Sequence, residues 1–347
     1  MRPGTPALDF RSDTVTQPTD EMRRAMAEAV VGDDILGEDP TVQRLEAMSA
    51  TMFGKAAALF VVSGTMANQI AIMALAQPGD EVIVGEGAHV YNLETGGLAA
   101  LAGVQVRALR ADRGKFLAAD VAGAIRPAGL QSAITRVLCL ENTYDLNRGI
   151  PLSPEYLQEM ADVAHRRELC VYLDGARIFN AALSFGTSPA QLCAPVDCLQ
   201  FCLSKGLAAP VGSMLIGSKA FIDRSRWIRQ RIGGGMCQGG HMAAAGIVAL
   251  ERMVPRLAED HETARRLAAG LAAIDERLVD RDALLTNIVA VDFGAAGREA
   301  GPVVKALADN GIRIKQVDGS RARMITHLGI ESADIDAALA VFARVLR

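Results

Sequence analysis

Two short stretches decide how this chain is interpreted: Tyr172-Leu173-Asp174-Gly175-Ala176-Arg177 and, about thirty residues later, Leu203-Ser204-Lys205-Gly206. Each follows an apolar run typical of a strand that is buried on both faces. The first run ends at an aspartate, and the second ends just before a lysine. Open α/β sheets bind their ligands at the carboxyl ends of the strands. We therefore expect the aspartate and the lysine to work as a pair in one site.

Short apolar runs alternate with amphipathic helical patterns as far as about residue 250, which predicts an α/β fold with a mostly parallel sheet covered by helices. Predicted helices include Thr65–Ala76 and Pro154–Arg167, the second with Ser153 as its cap and proline in its first position. The last two strands are too close for a helical crossover and are predicted to form an antiparallel hairpin. The predicted strands are Ala57–Val62, Glu81–Val84, Val104–Leu109, Arg136–Leu140, Leu169–Leu173, Cys198–Leu203 and Ser213–Ile216.

The C-terminal part reads as a small α+β unit packed against the rest. A long helical region, about 238–273, follows the Gly233-Gly234-Gly235 loop. The chain is expected to divide into a large catalytic domain, residues 1–255, and a small domain, residues 256–347. The predicted elements of the small unit are strands Asn287–Phe293, Ile312–Gln316 and Met324–Leu328 and helices near Gly301–Asn310 and Ser332–Leu346.

Composition narrows the class of protein. The chain has 347 residues, is 50% hydrophobic and carries a formal net charge of −4, so no nucleic acid or membrane partner is expected. No apolar run approaches the roughly 18 residues that a membrane helix needs. The six cysteines lie mostly in apolar runs, which favours reduced thiols and a cytoplasmic location. The five histidines are far apart in the sequence, and no metal site is expected.

Lys205 and Asp174 suit pyridoxal phosphate (PLP), which needs a lysine amine to hold its aldehyde carbon and an acid beside its ring nitrogen. A lysine that ends an apolar strand and precedes a turn of small residues is unlike an ordinary solvated surface lysine. Asp174 can also be interpreted as a helix cap, because Gly175 follows it. Arg177 could reach the phenolic oxygen of the cofactor or the carboxylate of a substrate.

Other candidates also follow predicted strands. Ser63-Gly64-Thr65 opens a helix, where backbone N–H groups can bind a phosphate, although the same residues make an ordinary turn and cap. His89 could stack on the cofactor ring, move protons or serve only the structure. Tyr144 lies at another strand end. Arg323, in the small unit, could bind a carboxylate through two parallel hydrogen bonds.

A series of motifs spans nearly the whole chain and resembles the low-specificity L-threonine aldolases. These enzymes belong to the fold-type-I, aspartate-aminotransferase-like group of PLP enzymes, so the resemblance implies a large domain with a mostly parallel sheet and a small α+β domain. The matching motifs, in order, are Phe10–Thr16, Val31–Asp34, Gly37–Val42, Gly64–Asn68, Leu140–Thr143, Asp174–Asn180, Leu203–Gly206, Gly233–Met236 and Thr326–Leu328.

The resemblance also implies a role for each candidate. It places the substrate carboxylate, or an oxygen of the cofactor, near Ser12, Arg177 and Arg323. It implies a homo-oligomer, a dimer or tetramer, with sites shared across a subunit interface. The implied cofactor contacts are Lys205 at the aldehyde carbon with Ser204 beside it, Asp174 at the ring nitrogen, His89 at the ring face, and Gly64 and Thr65 at the phosphate.

Two positions depart from the family pattern. Tyr144 stands where the family has a histidine associated with the β-hydroxyl of the substrate. A phenol ionises near pH 10 and is a poor base at neutral pH. Cys237 stands where the family has an arginine linked to phosphate binding from a neighbouring subunit. Arg229 or Arg231 could replace that charge.

The expected activity is PLP-dependent cleavage of the Cα–Cβ bond of threonine, allo-threonine or a related β-hydroxy-α-amino acid, such as phenylserine, to glycine and an aldehyde. The base that takes the β-hydroxyl proton is His89, Tyr144 or a water between them. Because of Tyr144, two alternatives keep the fold and cofactor: β-elimination from another β-substituted amino acid, and aldol synthesis. A third, motivated by Tyr144 and Cys237 together, is a PLP-binding protein without catalysis.

Overall fold

The computed structural model describes residues 7–127, 129–144, 148–280 and 284–347. The strands are β1 (Leu8–Asp9), β2 (Ala57–Val61), β3 (Glu81–Gly85), β4 (Gln105–Leu109), β5 (Thr135–Glu141), β6 (Cys170–Asp174), β7 (Cys198–Cys202), β8 (Ser213–Gly217), β9 (Ile288–Asp292), β10 (Ile312–Arg313), β11 (Lys315–Gln316) and β12 (Arg321–Ile325). The α-helices are α1 (Asp20–Ala27), α2 (Pro40–Phe53), α3 (Gly64–Leu75), α4 (His89–Asn92), α5 (Ala118–Ala124), α6 (Pro154–His165), α7 (Ile178–Phe185), α8 (Pro189–Leu192), α9 (Lys219–Arg231), α10 (Gly240–Val248), α11 (Val254–Ile274), α12 (Ala300–Asp309) and α13 (Ser332–Val345).

A seven-stranded sheet in the order β2-β8-β7-β6-β5-β3-β4 forms the centre of the large part of the chain. Strand β8 is antiparallel to β2 and β7, and the other neighbouring strands are parallel. The predicted hairpin of β7 and β8 is confirmed. Apolar clusters cover both faces of the sheet, which explains the continuous apolar runs of its strands. The carboxyl ends of the parallel strands therefore meet along one edge.

Local signals in the sequence set the two predicted helices. The Ser63 hydroxyl accepts a hydrogen bond from the backbone N–H of Met66 at 3.1 Å, so α3 begins directly after the turn that follows β2. Ser153 caps α6 in the same way, and Pro154 is the first residue of that helix, as predicted.

The C-terminal elements differ from the prediction in detail. Strand β12 starts at Arg321, three residues before the predicted Met324, because charged residues conceal its first positions from a search for apolar runs. Strand β1 pairs in parallel with β10, and the adjacent Phe10 enters the small apolar core with Phe293 and Phe342. Neither was predicted, since a two-residue strand leaves no periodic signal.

The predicted long helical region is present as α10 and α11, joined by a π-helical turn at Ala249–Met253. Helical structure therefore runs across residue 255. Strands β9, β11 and β12 form an antiparallel sheet in the order β11-β12-β9. The division at residues 255 and 256 remains a prediction. Among the described residues, no helix is both long enough and apolar enough to span a bilayer.

Candidate active site

The carboxyl ends of β2, β3, β5, β6 and β7 border a cleft of about 600 Å³. The fold therefore brings together side chains that lie up to three hundred positions apart in the sequence. All but one of the predicted site residues line this cleft. They are Ser12, Gly64, Thr65, His89, Asp174, Arg177, Ser204, Lys205 and Arg323.

Asp174 ends β6 and is only 2% exposed. Its Oδ1 accepts hydrogen bonds from Gln200 Nε2 at 2.5 Å and from the backbone N–H of Ala176 at 3.1 Å. Its Oδ2 accepts from Asn68 Nδ2 at 2.8 Å. Three donors therefore satisfy the oxygens of Asp174 in this buried position. The hydrogen bond from Ala176 lies in the turn before α7. Asp174 therefore makes a cap-like contact, one of its two predicted roles, and also lines the cleft.

Lys205 follows β7 in the turn that leads to β8. The hydroxyl of Thr16 donates to the backbone oxygen of Lys205 at 2.9 Å, so the N-terminal segment holds this turn in place. Within the described ranges, the Lys205 amine makes no hydrogen bond or ion pair. It lines the same cleft as Asp174 and is available to bond a ligand there.

His89 is the first residue of α4, after β3. Its backbone N–H donates to Glu141 Oε2 at 2.6 Å, and its ring Nδ1 lies 3.0 Å from Glu94 Oε1. The imidazole is 30% exposed, whereas the Glu94 side chain is fully buried. One carboxylate therefore holds the main chain of His89, and a second holds its ring at the cleft wall.

Tyr144 is the predicted site residue that does not line the cleft. Its hydroxyl accepts a hydrogen bond from the backbone N–H of Gly87 at 3.0 Å, and only 5% of the residue is exposed. Glycines make room for the ring: a Cβ atom on Gly85 would lie 2.8 Å from the hydroxyl, and one on Gly114 would lie 2.5 Å from Tyr144 Cβ. The phenol thus supports the loop that carries His89.

The start of α3 offers a place for a phosphate. Ser63 caps the helix through its side chain, which leaves backbone N–H groups of the first turn directed outward. A Cβ atom on Gly64 would lie 2.8 Å from Cys202 Sγ, so the absence of a side chain keeps this wall of the cleft open. Thr65 is exposed at the same point.

Cationic side chains also line the cleft. The Arg177 guanidinium donates two hydrogen bonds to Asp13, from Nε at 2.7 Å and from Nη2 at 2.6 Å. Burial alone would raise the pKa of Asp13, but the Arg177 cation and its hydrogen bonds, with Lys205 and His327, lower it to about 2.

Arg323 is 2% exposed and donates from Nη2 to the backbone oxygen of Arg11 at 3.0 Å. Its partner in the β11–β12 register is Lys315, which also lines the cleft. Burial lowers the pKa of Lys315, and the Arg323 and Arg177 cations lower it further. Like charges on directly opposed residues of two strands repel each other. This end of the cleft therefore suits an anion.

Several site residues were not predicted. Asn68, Gln200 and Glu94 orient the predicted ones from inside the protein, and Asp13 holds Arg177. Asn68 and Asp13 lie within the motifs that carry the family resemblance, which is the signal that could have found them.

Glu94 also joins His89 and Asp174 in a group whose possible ligand atoms lie within 4.8 Å of one another. The sequence did not reveal this group, because it contains only one histidine and its two carboxylates, Glu94 and Asp174, are eighty positions apart. Amide side chains already donate to both carboxylates of the group.

The arginines suggested as replacements for a charge at position 237 are engaged elsewhere. Arg229 is buried, with Nη2 2.7 Å from Asp34 Oδ2 and Nη1 donating to the backbone oxygen of Phe60 at 2.8 Å. Arg231 lies over the ring of Trp227 at 5.3 Å. Cys237 is exposed. Neither arginine lines the cleft of its own chain.

The fold is that of the fold-type-I enzymes, as predicted. The threonine aldolase of Leishmania major superposes with a TM-score of 0.84 at 20% identity, covering 98% of this chain and 100% of that one. The chain belongs to the beta-eliminating lyase family, whose model matches residues 9–293.

Two curated relatives are similar over nearly their whole length. The chain is 41% identical to low-specificity L-threonine aldolase 1 of Arabidopsis thaliana, over 98% of this chain and 96% of the relative. It is also 41% identical to the low specificity L-threonine aldolase of Escherichia coli strain K12, over 93% of this chain and 94% of the relative. The family resemblance stated from the sequence motifs is therefore confirmed.

Proposed function

We propose that this protein is a PLP-dependent aldehyde-lyase that cleaves the Cα–Cβ bond of L-threonine, L-allo-threonine or a related β-hydroxy-α-amino acid, releasing glycine and an aldehyde. One observation carries the proposal: Lys205 and Asp174 reach the same cleft from neighbouring strands, with His89 beside them. The names of the curated relatives support this class of substrate.

The residues of the cleft fit PLP. The Lys205 amine would hold the aldehyde carbon, and the Asp174 carboxylate would bind the protonated ring nitrogen. The phosphate would be bound at the start of α3 by Gly64 and Thr65, with Ser204 beside the lysine. When bound, PLP supplies an electron sink for the charge left on Cα as the bond to Cβ breaks.

The rest of the chemistry is assigned to the protein's own side chains. Arg323 would bind the substrate carboxylate, with Ser12 and Arg177 completing that end of the cleft. His89 would take the proton from the β-hydroxyl, because its ring lines the cleft. Tyr144 is not assigned as the base, because its hydroxyl accepts a hydrogen bond from the Gly87 N–H and supports the loop that carries His89.

We propose further that the protein works in the cytoplasm as a homo-oligomer with shared sites. The cysteines, which lie mostly in apolar runs, support the cytoplasmic location, and the family resemblance supports the homo-oligomer. Burial raises the pKa of Cys139 and Cys198 well above that of a free thiol, and it raises the pKa of Cys193 to about 12. A raised pKa disfavours the reactive thiolate form at these three positions.

Substrate tests separate the proposed activity from β-elimination. The PLP-loaded protein should release glycine and aldehyde in equal amounts from threonine, allo-threonine or phenylserine, and Lys205→Ala should abolish the release. Pyruvate and ammonia from an amino acid with a β-leaving group, without aldehyde from any of the three, would instead establish the eliminating reaction that the family description names. Release of neither set of products would contradict an enzymatic role on these substrates.

A further inference from the structure

We propose that Glu94 is a positioning residue that keeps the His89 proton on Nδ1, and that Asn68 joins Glu94 to Asp174 so that both carboxylates are held as one unit. The inference rests on the proposed function in taking His89 as the proton acceptor. It concerns the protein's own hydrogen bonds, which can be measured independently of turnover.

The other hydrogen bonds of Glu94 indicate the direction of its hydrogen bond to His89. Oε1 accepts from Asn68 Nδ2 at 2.6 Å, and Oε2 accepts from Gln69 Nε2 at 2.5 Å. Both oxygens of this fully buried carboxylate thus act as acceptors toward amide N–H groups. We therefore assign the donor role in the contact with Glu94 to the His89 Nδ1 atom, which lies 3.0 Å from Oε1. In the neutral ring, Nε2 then keeps its lone pair for a substrate proton.

Asn68 bridges the two carboxylates with a single amide group. One of its N–H bonds is directed to Glu94 at 2.6 Å and the other to Asp174 at 2.8 Å. The hydroxyl of Tyr172 donates to the amide oxygen at 2.6 Å. A flipped amide would set its oxygen against the two carboxylate oxygens, so the contacts with Glu94 and Asp174 fix the orientation of Asn68. Two buried anions repel each other, and the amide dipole between them offsets that repulsion. Asn68 thus holds both Asp174, the proposed partner of the cofactor nitrogen, and Glu94, which lies behind the proposed base His89.

The ring and the main chain of His89 are held separately. Glu141 binds the backbone N–H of His89, so removing Glu94 should release the ring while the backbone stays in place. A second position affects the same network without removing a charged group. A Cβ atom on Gly97 would lie 2.6 Å from Cδ and Oε1 of Gln69, so Gly97→Ala should displace the amide that holds Glu94 Oε2.

The test is the tautomer of His89 in the full-length, PLP-loaded protein, read from ¹⁵N shifts of labelled histidine and assigned with His89→Asn. Wild type should show the Nδ1–H form. Glu94→Ala should lose this preference, and Gly97→Ala should weaken it if the first variant folds poorly. Glu86→Gln, an exposed carboxylate change in the same loop, should leave the spectrum unchanged.

Turnover provides a second readout. Glu94→Ala should lower kcat by about 100-fold while KM stays within about threefold, because the ring is misdirected and not lost. An unchanged tautomer in both Glu94→Ala and Gly97→Ala, or an Nε2–H ring in wild type, would overturn the inference. If wild type shows the expected tautomer but cleaves no β-hydroxy-α-amino acid, the proposed function fails and the positioning role stands.

Discussion

Replacing Asp13 with asparagine should leave a buried cation without its partner. The Arg177–Asp13 pair is bidentate, and its side chains are 6% and 0% exposed. Removing one member of a buried ion pair costs about 3 to 5 kcal/mol. Arg177 borders the cleft, where water can reach it in part. We therefore expect Asp13→Asn to lower the free energy of unfolding by about 3 kcal/mol at neutral pH.

The pH dependence of this loss has a defined sign. Folding lowers the pKa of Asp13 from 3.8 to about 2, which corresponds to about 2 kcal/mol of stabilisation above the unfolded pKa. That contribution is lost as the pH falls from about 4 toward 2. The difference between wild type and Asp13→Asn should therefore be constant above about pH 5 and shrink below about pH 4.

Urea unfolding of the PLP-loaded proteins, at one protein concentration and a series of pH values, measures both effects. The matched control is Asp9→Asn, which removes a carboxylate from the Arg11 pair, whose side chains are 49% exposed for the arginine and 19% for the aspartate. This control should cost less than about 1 kcal/mol. A cost for Asp13→Asn no larger than that of the control would refute the reasoning.

Two other substitutions test the start of α3 and the support of the His89 loop. Gly64→Ala places a Cβ atom 2.8 Å from Cys202 Sγ and should weaken PLP binding about tenfold, as measured by equilibrium titration. Gly123→Ala, where a Cβ atom meets nothing within 4 Å, should leave the affinity unchanged. Tyr144→Phe removes the hydrogen bond from Gly87 and should cost about 1 kcal/mol of stability. Its kcat should fall by less than about tenfold, whereas a loss of about a thousandfold would identify Tyr144 as the base.

The sheet was predictable because its strands are buried on both faces. Runs such as Val82–Val84 and Val171–Leu173 are apolar and fully buried, so each strand can be recognised without its neighbours. The predicted site followed from the same runs, since Asp174 and Lys205 mark the carboxyl ends of two of them. The position of each residue just after a predicted parallel strand was enough to place both at one edge of the sheet.

The supporting residues could not be found in this way. Glu94 lies in a loop with no periodicity, and its contact with His89 depends on how that loop folds back over α3. Strand β1 exists only through its pairing with β10, some three hundred residues away. Tyr144 was predicted at a strand end, which is correct. The glycines that leave room for its side chain outside the cleft, Gly85 and Gly114, are distant in the sequence.

The covalent attachment of the cofactor tests the proposed mechanism most directly. The PLP-loaded protein is reduced with borohydride, which makes the bond between lysine and cofactor permanent, and its peptides are mapped by mass spectrometry. We expect the cofactor on the peptide that contains Lys205, and no attachment in Lys205→Ala. Attachment to a different lysine in the wild-type protein, or to none, would contradict the proposed mechanism.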